Sequence, residues 1–336
     1  MLKLDVKNKK ILSVLDEDAR TPLSKIASRA GISKQLADYR IKNLLKDKII
    51  EGFTIYCDLT KLGYSTFGVY LRLKNLTEQK EQEIIDSLVQ HPFTKWVVAC
   101  EGKWDLAFSL CAKNFLDFNS KLEEIMAKIC TNVETYETNI IFSLQNFFFH
   151  LLEREDYLRG KPLRMEFSTE KLSEKIDELD IKLLQQLAKD ARASLVGIAN
   201  TLKVSPDVVR YRLKNLTARK IITEFKTRIS FKTLGYNWYQ LLLDLRNFPE
   251  SEEKKFVEKL KQIPNLSYVV KCMGKWDFEI HVHAESNEEF RKILMKVRDS
   301  LTDYIISYDT MLMFSKYKST PLPDGVVQEL RKEVKK

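Results

Sequence analysis

The chain has 336 residues, of which 44% are hydrophobic and 31% charged, so it has the composition of a soluble globular protein and the length of more than one domain. No apolar run approaches the roughly 20 residues that cross a bilayer, and charges interrupt the first 20 residues. We therefore expect no membrane span, no signal peptide and a cytoplasmic location. The five cysteines form no CxxC pair, which argues against a disulfide framework and a zinc finger.

The first 52 residues have the signals of short helices joined by a tight turn. Thr21 and Pro22 precede LSKIASRA, where the threonine caps a helix and the proline suits its first turn. Gly31 suits the left-handed residue that ends this helix, and Ser33 caps the next one. Three short helices arranged in this way are typical of a helix-turn-helix, and residues 1–52 are predicted to be a first DNA-binding domain.

The third helix of this domain, SKQLADYRIKNLLKDK, has an apolar stripe that we expect to pack inward. Its opposite side carries groups that can contact base edges and phosphates. The candidate DNA-contacting residues are Ser33, Lys34, Gln35, Asp38, Tyr39, Arg40, Lys42 and Asn43. Any amphipathic surface helix shows charges outward, so this pattern alone does not establish DNA binding.

The pattern of residues 53–146 predicts a second domain that contains both strands and helices. Four segments, TFGVYLRLK, TKWVVACEG, KWDLAFSLCA and NVETYETNIIFSL, are rich in β-branched and aromatic residues. Two others, EQKEQEIIDSLVQHP and NFLDFNSKLEEIMAKI, have the periodicity of helices. The resulting order, βαββαβ, predicts a ferredoxin-like half-sandwich. Helices cover one face of its sheet, and the other face needs a partner.

The chain then repeats itself at a constant offset of 172 residues. In the first 50 positions 20 residues are identical between the copies without a gap, and EGKWD at 101–105 returns as MGKWD at 273–277. The chain is therefore a tandem duplication of the α+β class. We predict a second helix-turn-helix domain at 173–224 and a second ferredoxin-like domain at 225–318. We expect residues 147–172 to form a partly packed connector and residues 319–336 a C-terminal tail.

The second copy contains the same helical signals as the first. Leu179, Leu183 and Leu187 have the spacing of one helical face, and Ser194 and Ser205 cap the two helices that follow. The candidate DNA-contacting residues of this copy are Ser205, Asp207, Arg210, Tyr211, Arg212, Lys214 and Asn215.

The charge of the chain is concentrated in these two helical domains. Residues 1–50 contain 12 Lys and Arg against 6 Asp and Glu, and residues 173–222 contain 10 against 6, while the whole chain has a net charge of +9. The rest of the chain is therefore close to neutral. Basic charge restricted to a helix-turn-helix is expected for a surface that binds the phosphates of double-stranded DNA.

Taken together, the motifs resemble those of the Lrp/AsnC (feast/famine) family of prokaryotic transcription regulators. The residues that carry the resemblance are Ile176-Asp177-x-x-Asp180-x-x-Leu183-Leu184, Asp190-x-Arg192, Ile198-Ala199, Ser205-x-x-x-Val209-x-x-Arg212-Leu213-x-x-Leu216, Ile221-Ile222 and Gly274-x-x-Asp277. The first copy repeats nearly all of them, so the resemblance covers the chain apart from the connector.

The resemblance implies a winged helix-turn-helix in each copy, regulation of transcription, and dimerisation through the βαββαβ sheets. It also implies an amino-acid or similar small-molecule effector near the G-x-x-D loop, at contacts between dimers. The candidate effector-binding residues are Gly102, Lys103, Trp104, Asp105, Gly274, Lys275, Trp276 and Asp277. Glu101 is replaced by Met273, so we expect two inequivalent sites.

The chain also departs from the family pattern. Members ordinarily have one copy per chain, and they have a glycine where this sequence has Lys48 and Lys220. One fused chain is expected to act as an intrachain pseudodimer that forms further homo-oligomers. Its two recognition helices differ, because Asp207 replaces Gln35 and Arg210 replaces Asp38. We therefore predict that the operator is asymmetric.

Two other classes of function stay open. Fused sirohaem decarboxylase-type proteins contain the same pair of domains, and their chemistry would need imidazole, guanidinium or tyrosine groups around a tetrapyrrole. His281 and His283 face one way on a strand, but no third metal ligand is evident, so we interpret them as packed histidines. Nothing indicates a cofactor, a metal or an enzyme. The second alternative is a small-molecule sensor that has lost DNA binding.

Overall fold

The computed structural model describes residues 4–147, 163–166, 174–263 and 266–335. The helices are α1 (Val6–Glu17), α2 (Leu23–Ala30), α3 (Lys34–Lys46), α4 (Glu78–Gln90), α5 (Phe115–Ile129), α6 (Glu178–Lys189), α7 (Leu195–Leu202), α8 (Pro206–Ala218), α9 (Glu250–Leu260), α10 (Asn287–Asp299) and α11 (Asp324–Val334). The strands are β1 (Ile50–Cys57), β2 (Ser65–Leu73), β3 (Thr94–Gly102), β4 (Leu106–Ala112), β5 (Val133–Asn146), β6 (Leu163–Glu166), β7 (Ile222–Ile229), β8 (Asn237–Leu245), β9 (Leu266–Gly274), β10 (Phe278–Ala284) and β11 (Ile305–Ser319). The predicted α+β class and the two helix-turn-helix domains, α1–α3 and α6–α8, are confirmed. None of the helices in the described ranges is long and apolar enough to cross a membrane.

The two helix-turn-helix domains are joined by a two-stranded antiparallel ribbon of β1 and β7. Its register runs from Ile50 opposite Ile229 to Cys57 opposite Ile222. The helices of both domains share one hydrophobic core, which includes Leu12 of α1 and Leu184 of α6. The boundaries predicted near residues 52 and 224 fall inside these strands, so each domain passes into the next through the ribbon.

The repeated Asp-Ala-Arg motif crosses between the two copies. Arg20 donates a hydrogen bond from Nη1 to the carbonyl oxygen of Ala191 at 2.6 Å, and Arg192 donates reciprocally to the carbonyls of Ala19 and Thr21. Because buried carbonyl groups need partners, these bonds fix the two domains against one another. The duplication therefore preserves a contact between the copies.

The two ferredoxin-like units close into one eight-stranded antiparallel barrel. Its order is β2-β4-β3-β11-β8-β10-β9-β5, and β5 pairs back with β2. The copies meet along two seams, β3 with β11 and β5 with β9. Helices α4 and α5 cover one side of the barrel, and α9 and α10 cover the other. The face of each sheet that needs a partner packs against the sheet of the other copy inside the barrel, and closure also removes the exposed edges of both sheets.

The C-terminal tail is ordered as a helix. Val326 and Leu330 of α11 enter the core of the helix-turn-helix domains, and the Tyr64 hydroxyl donates a hydrogen bond to Glu329 at 2.6 Å. Of the predicted connector, Phe147 is buried and β6 pairs with β5, while the remainder up to residue 172 lies outside the described residues.

Three lysines have left-handed backbone conformations. Lys48 and Lys220, which stand at the family's glycine position, have φ of 54° and 57°. Lys203 has φ of 57° where its counterpart Gly31 has 61°. A residue with a Cβ is strained in this region by about 1–2 kcal/mol, so the chain keeps the turn geometry at some cost in stability.

We predict that Lys203→Gly raises the free energy of unfolding by about 0.5–1 kcal/mol, because relief of the strain exceeds the greater backbone entropy of glycine. Urea denaturation of the full chain measures the change. Lys214→Gly, at a right-handed position within α8, is the control and should lower the free energy of unfolding by about 1 kcal/mol. Equal destabilisation by both substitutions would contradict the prediction.

Candidate DNA-binding face, hairpins and barrel cavity

The recognition helices α3 and α8 expose the polar sides that the sequence predicts. Tyr39 and Tyr211, at equivalent positions, are 62% and 68% exposed. The apolar side is buried, with Ala37 on α3 and Val209 on α8 within the core. The other exposed candidates are Ser33, Lys34, Gln35, Lys42, Ser205, Asp207, Arg210 and Lys214. Both helices thus present a polar strip to solvent, and the predicted contacts with DNA stay a prediction.

Some of the candidate residues hold the recognition helices in place. Ser33 and Ser205 cap them, with each hydroxyl accepting a hydrogen bond from the backbone three residues later, at 3.2 and 3.3 Å. Arg40 forms an ion pair with Asp5 at 2.6 Å. Arg212 pairs in the same way with Asp177 at 2.5 Å. These arginines tie the third helix of each domain to the start of its first helix.

The ion pair of the second copy also changes the ionisation of its carboxylate. Burial opposes the charged form, but hydrogen bonds from the backbone of Asp180 and from Arg212 lower the pKa of Asp177 below its ordinary value. The pair is therefore ionised at neutral pH. The partly buried Asn43 and Asn215 lie one turn further along the same helices.

The exposed charges of the two recognition helices are arranged differently. On α3, Asp38 lies in the second turn and pairs with Lys42 at 2.6 Å. On α8, Asp207 lies in the first turn and pairs with Arg210. A DNA duplex bound to both helices would therefore lie near a carboxylate in the second turn of α3 but in the first turn of α8.

The GKWD hairpins close one end of the barrel. Trp104 and Trp276 are each 3% exposed and lie inside it, where the ring of Trp276 contacts that of Tyr70 edge to face at 4.7 Å between centroids. Each aspartate ties its hairpin to the adjacent strand. Asp105 accepts a hydrogen bond from the Leu73 backbone at 2.6 Å, and Asp277 one from Leu245 at 2.7 Å.

The hairpin glycines lie on the seams between the copies. Gly102 has φ of 134°, and a Cβ there would come within 2.8 Å of the Thr310 carbonyl oxygen. Gly274 has φ of 155°, and a Cβ would come within 2.7 Å of the Thr138 oxygen. The sequence located this motif, but it did not show that the glycines permit close approach between the copies.

The hairpin lysines have different surroundings. The ammonium of Lys103 pairs with Asp309 at 2.6 Å. At Lys275 the backbone donates to the side chain of Asn139 at 2.9 Å. The two loops thus share a backbone frame and differ in chemistry. Their role in binding an effector stays a prediction.

A cavity of about 620 Å³ lies at the opposite end of the barrel, beneath the β1–β7 ribbon. Its lining comes from both copies and includes Lys95 and Trp96 of β3, Trp238 of β8, and His281 and His283 of β10. Sequence reasoning missed this cavity, because its residues are scattered along the chain and only the strand pairing brings them together.

The two histidines are packed, as the sequence predicts, but they also line the cavity. The indole Nε1 of Trp238 donates a hydrogen bond to Nδ1 of His281 at 3.1 Å, and the ring of Phe231 lies 4.3 Å from that of His283. Burial lowers the pKa of both histidines to about 3, so both imidazoles are neutral at physiological pH.

A buried carboxyl group connects the cavity to the hairpin end of the barrel. Glu279 accepts hydrogen bonds from Trp276 Nε1 and Gln240 Nε2, each at 3.1 Å. It forms no ion pair with a lysine or arginine of the described ranges. Burial raises the pKa of Glu279, although hydrogen bonds from Tyr70 and Trp276 oppose the rise.

We predict that Glu279 destabilises the protein at high pH. Folding raises the pKa of Glu279 above its ordinary 4.5. The contribution of protonated Glu279 to the free energy of unfolding, present at low pH, is therefore lost as the pH rises through the folded-state pKa. The loss is about 1.4 kcal/mol for each pH unit between the two pKa values. Unfolding free energies measured from pH 4 to 8 should fall less in Glu279→Gln than in the parent. Glu101→Gln, at an exposed position, is the control and should follow the parent; identical pH profiles for both variants would contradict the prediction.

Comparisons with known proteins agree with this architecture. The AsnC-type helix-turn-helix domain matches residues 4–45 and 176–217, and the Lrp/AsnC ligand-binding domain matches residues 243–323. The regulator LrpA of Pyrococcus horikoshii is 31% identical over 126 residues, which are 38% of this chain and 88% of that protein. The regulator AzlB of Bacillus subtilis is 28% identical over 148 residues, or 43% of this chain and 92% of AzlB.

Solved structures of one protein resemble nearly the full length of the chain. The siroheme decarboxylase NirDL aligns with 98% of this chain and 100% of its own, with a TM-score of 0.63 and 13% sequence identity. At this identity the likeness concerns the fold, and it shows that a tandem arrangement of these domains occurs elsewhere. The helix-turn-helix matches in both copies, the ligand-binding-domain match in the second copy and the similarity to LrpA establish the family: the chain is a tandem-duplicated member of the Lrp/AsnC family of transcriptional regulators.

Proposed function

We propose that one chain of this regulator binds double-stranded DNA as a pseudodimer and reads an asymmetric operator. The observation that carries the proposal is the ribbon of β1 and β7, which joins two helix-turn-helix domains whose exposed faces differ. An ordinary dimer reads a palindrome because both of its recognition helices are the same. Here the fusion has removed that constraint.

The placement of the recognition helices supports the proposal. Each is tied to the first helix of its domain by an arginine, Arg40 or Arg212, and the domains are tied together by the crossed bonds of Arg20 and Arg192. Two helices held at a fixed separation can enter successive major grooves without a large ordering cost. The concentration of positive charge in these domains supplies attraction to phosphates.

The exposed side chains supply the asymmetry. Gln35 can pair with adenine through two hydrogen bonds, whereas Asp207 at the equivalent position can only accept and favours the amino group of cytosine. The second pair, Asp38 and Arg210, reverses charge. The half-sites are therefore expected to differ in sequence.

Selection from random DNA tests the proposal. The parent should recover two unlike half-sites whose centres lie about 10 base pairs, or a multiple, apart. The double substitution Asp207→Gln and Arg210→Asp, which gives α8 the two residues of α3, should shift the selected site towards a palindrome. Lys128→Gln, on α5 of the first ferredoxin-like unit, is the control and should leave the site unchanged. A palindromic site for the parent would contradict the proposal.

The GKWD hairpins form the proposed contact surface for a small effector or for another chain. This part of the proposal is supported by their position at the barrel end and by the exposure of Met273, at 52%. Since Trp104 and Trp276 are buried, contact there would involve the loop backbone and Lys103 or Lys275. Asp105 and Asp277 would act by holding the loops in position.

A second candidate function, decarboxylation of a tetrapyrrole, is favoured by the cavity. Its lining includes two neutral imidazoles, His281 and His283, and the guanidinium of Arg228. The NirDL fold that resembles this chain has been solved with an iron-uroporphyrin III analogue. We favour the regulator, which uses both recognition helices, and we propose that the chain is not an enzyme.

Incubation of the purified chain with iron-uroporphyrin III separates the two candidates. As a regulator the chain should leave the compound's mass unchanged, whether or not the absorption spectrum shifts on mixing. Loss of carboxyl groups as CO₂, seen by mass spectrometry and abolished in His281→Phe, would favour the enzyme. Heat-denatured protein is the control for spontaneous loss.

A further inference from the structure

We infer that the barrel cavity binds one flat aromatic carboxylate per chain, and that this ligand acts on DNA binding through the β1–β7 ribbon. The regulatory part of the inference rests on the proposed function. The site is separate from the hairpins, because it lies at the other end of the barrel. Its class of ligand follows from the walls, the charges and the asymmetry of the cavity.

The walls are suited to a flat ring. The indoles of Trp96 and Trp238 meet edge to face with their centroids 6.1 Å apart, and both remain partly exposed. The ring of Phe231 lies beside His283 on the same side. A planar aromatic group can stack on such surfaces with little loss of conformational entropy. A volume of about 620 Å³ exceeds what a single amino acid requires.

The charges of the cavity favour an anion. Its cationic residues are Lys95, Lys226, Arg228, Lys232 and Lys316, against the acids Asp16, Glu51 and Glu279. The buried ion pair between Lys226 and Asp16, at 2.7 Å, neutralises both groups. Lys95 forms no ion pair within the described ranges, so its charge remains available to a ligand.

Arg228 is the group best placed to bind a carboxylate. Its Nη2 donates to the backbone carbonyl of Glu51 at 3.3 Å, and its buried Nε has no hydrogen-bond partner in the part of the chain that the structure describes. A guanidinium has five N–H donors in a planar fork that matches a carboxylate. The glycine at 52 makes room for it, because a Cβ there would lie 2.6 Å from Nη2.

The groups that would hold the ligand are not repeated between the two copies, which fixes the stoichiometry. At the offset of 172, Trp238, His281, His283 and Arg228 correspond to Thr66, Ser109, Cys111 and Tyr56. The first copy therefore supplies small polar groups and a tyrosine where the second supplies rings and a cation. A symmetric dimer would have two equivalent sites, whereas this chain should have one.

The position of Arg228 gives the ligand a route to the DNA-binding domains. Arg228 lies on β7, which follows α8 directly and pairs with β1, the strand that follows α3. A carboxylate that draws Arg228 into the cavity acts on the ribbon between the two recognition helices. The ligand therefore shifts DNA affinity if it prefers one ribbon geometry over another.

Calorimetric titration of the full chain with 2-naphthoate tests the inference. The neutral isostere 2-naphthamide has nearly the same shape without the charge, so it should bind at least tenfold more weakly. One equivalent of 2-naphthoate should bind per chain. Arg228→Gln and, separately, Lys95→Gln should each weaken binding at least tenfold, because each removes a cation from the site. Lys292→Gln, at an exposed position of α10 outside the barrel, is the matched control and should retain the affinity of the parent.

Several results would overturn the inference. These are absence of 2-naphthoate binding, equal affinity for the acid and the amide, two equivalents per chain, and parental affinity in both cavity variants. Binding without any change in DNA affinity would refute the action through the ribbon. Binding of 2-naphthoate by a chain that does not bind DNA would instead refute the proposed function, so the two failures are distinguishable.

Discussion

Backbone pairing between the two copies is the constraint on which the rest of the structure depends. Strand β1 pairs with β7, β3 with β11, and β5 with β9, so every unit of one copy is completed by the other. An open edge would leave a row of unpaired backbone groups exposed to other chains. Both the separation of the recognition helices and the enclosure of the cavity result from these three pairings.

Local features of the fold were readable from the sequence because they depend on nearby residues. The caps at Ser33 and Ser205 and the order of strands and helices follow from short-range spacing. The closure of the barrel could not be predicted, because the alternation of polar and apolar residues along an edge strand does not identify the strand with which it pairs. The GKWD motif illustrates both cases. The repeat located it in the sequence, but the burial of Trp104 and the close approach of Gly102 to β11 are seen only in the structure.

The candidate sites follow the same division. The exposed faces of α3 and α8 were predictable, because the 3.6-residue spacing of polar residues determines which side of a helix faces solvent. The cavity was not, because Lys95, Arg228 and His283 belong to three separate strands. The pairing of Arg40 with Asp5 was also missed, since a cation on a recognition helix looks the same in sequence whether it contacts DNA or its own domain.

The closed barrel also has a consequence for how the chain is made. The seam between β3 and β11 joins residues about 210 positions apart, such as Met311 and Gly102. A ribosome that has released the first copy has therefore exposed β3 and β5 before β9 and β11 exist to cover them. During this interval the nascent first copy has two open sheet edges and an uncovered apolar face, a condition that favours pairing with a neighbouring nascent chain. Keeping both copies in one polypeptide places the correct partner within reach as soon as synthesis ends.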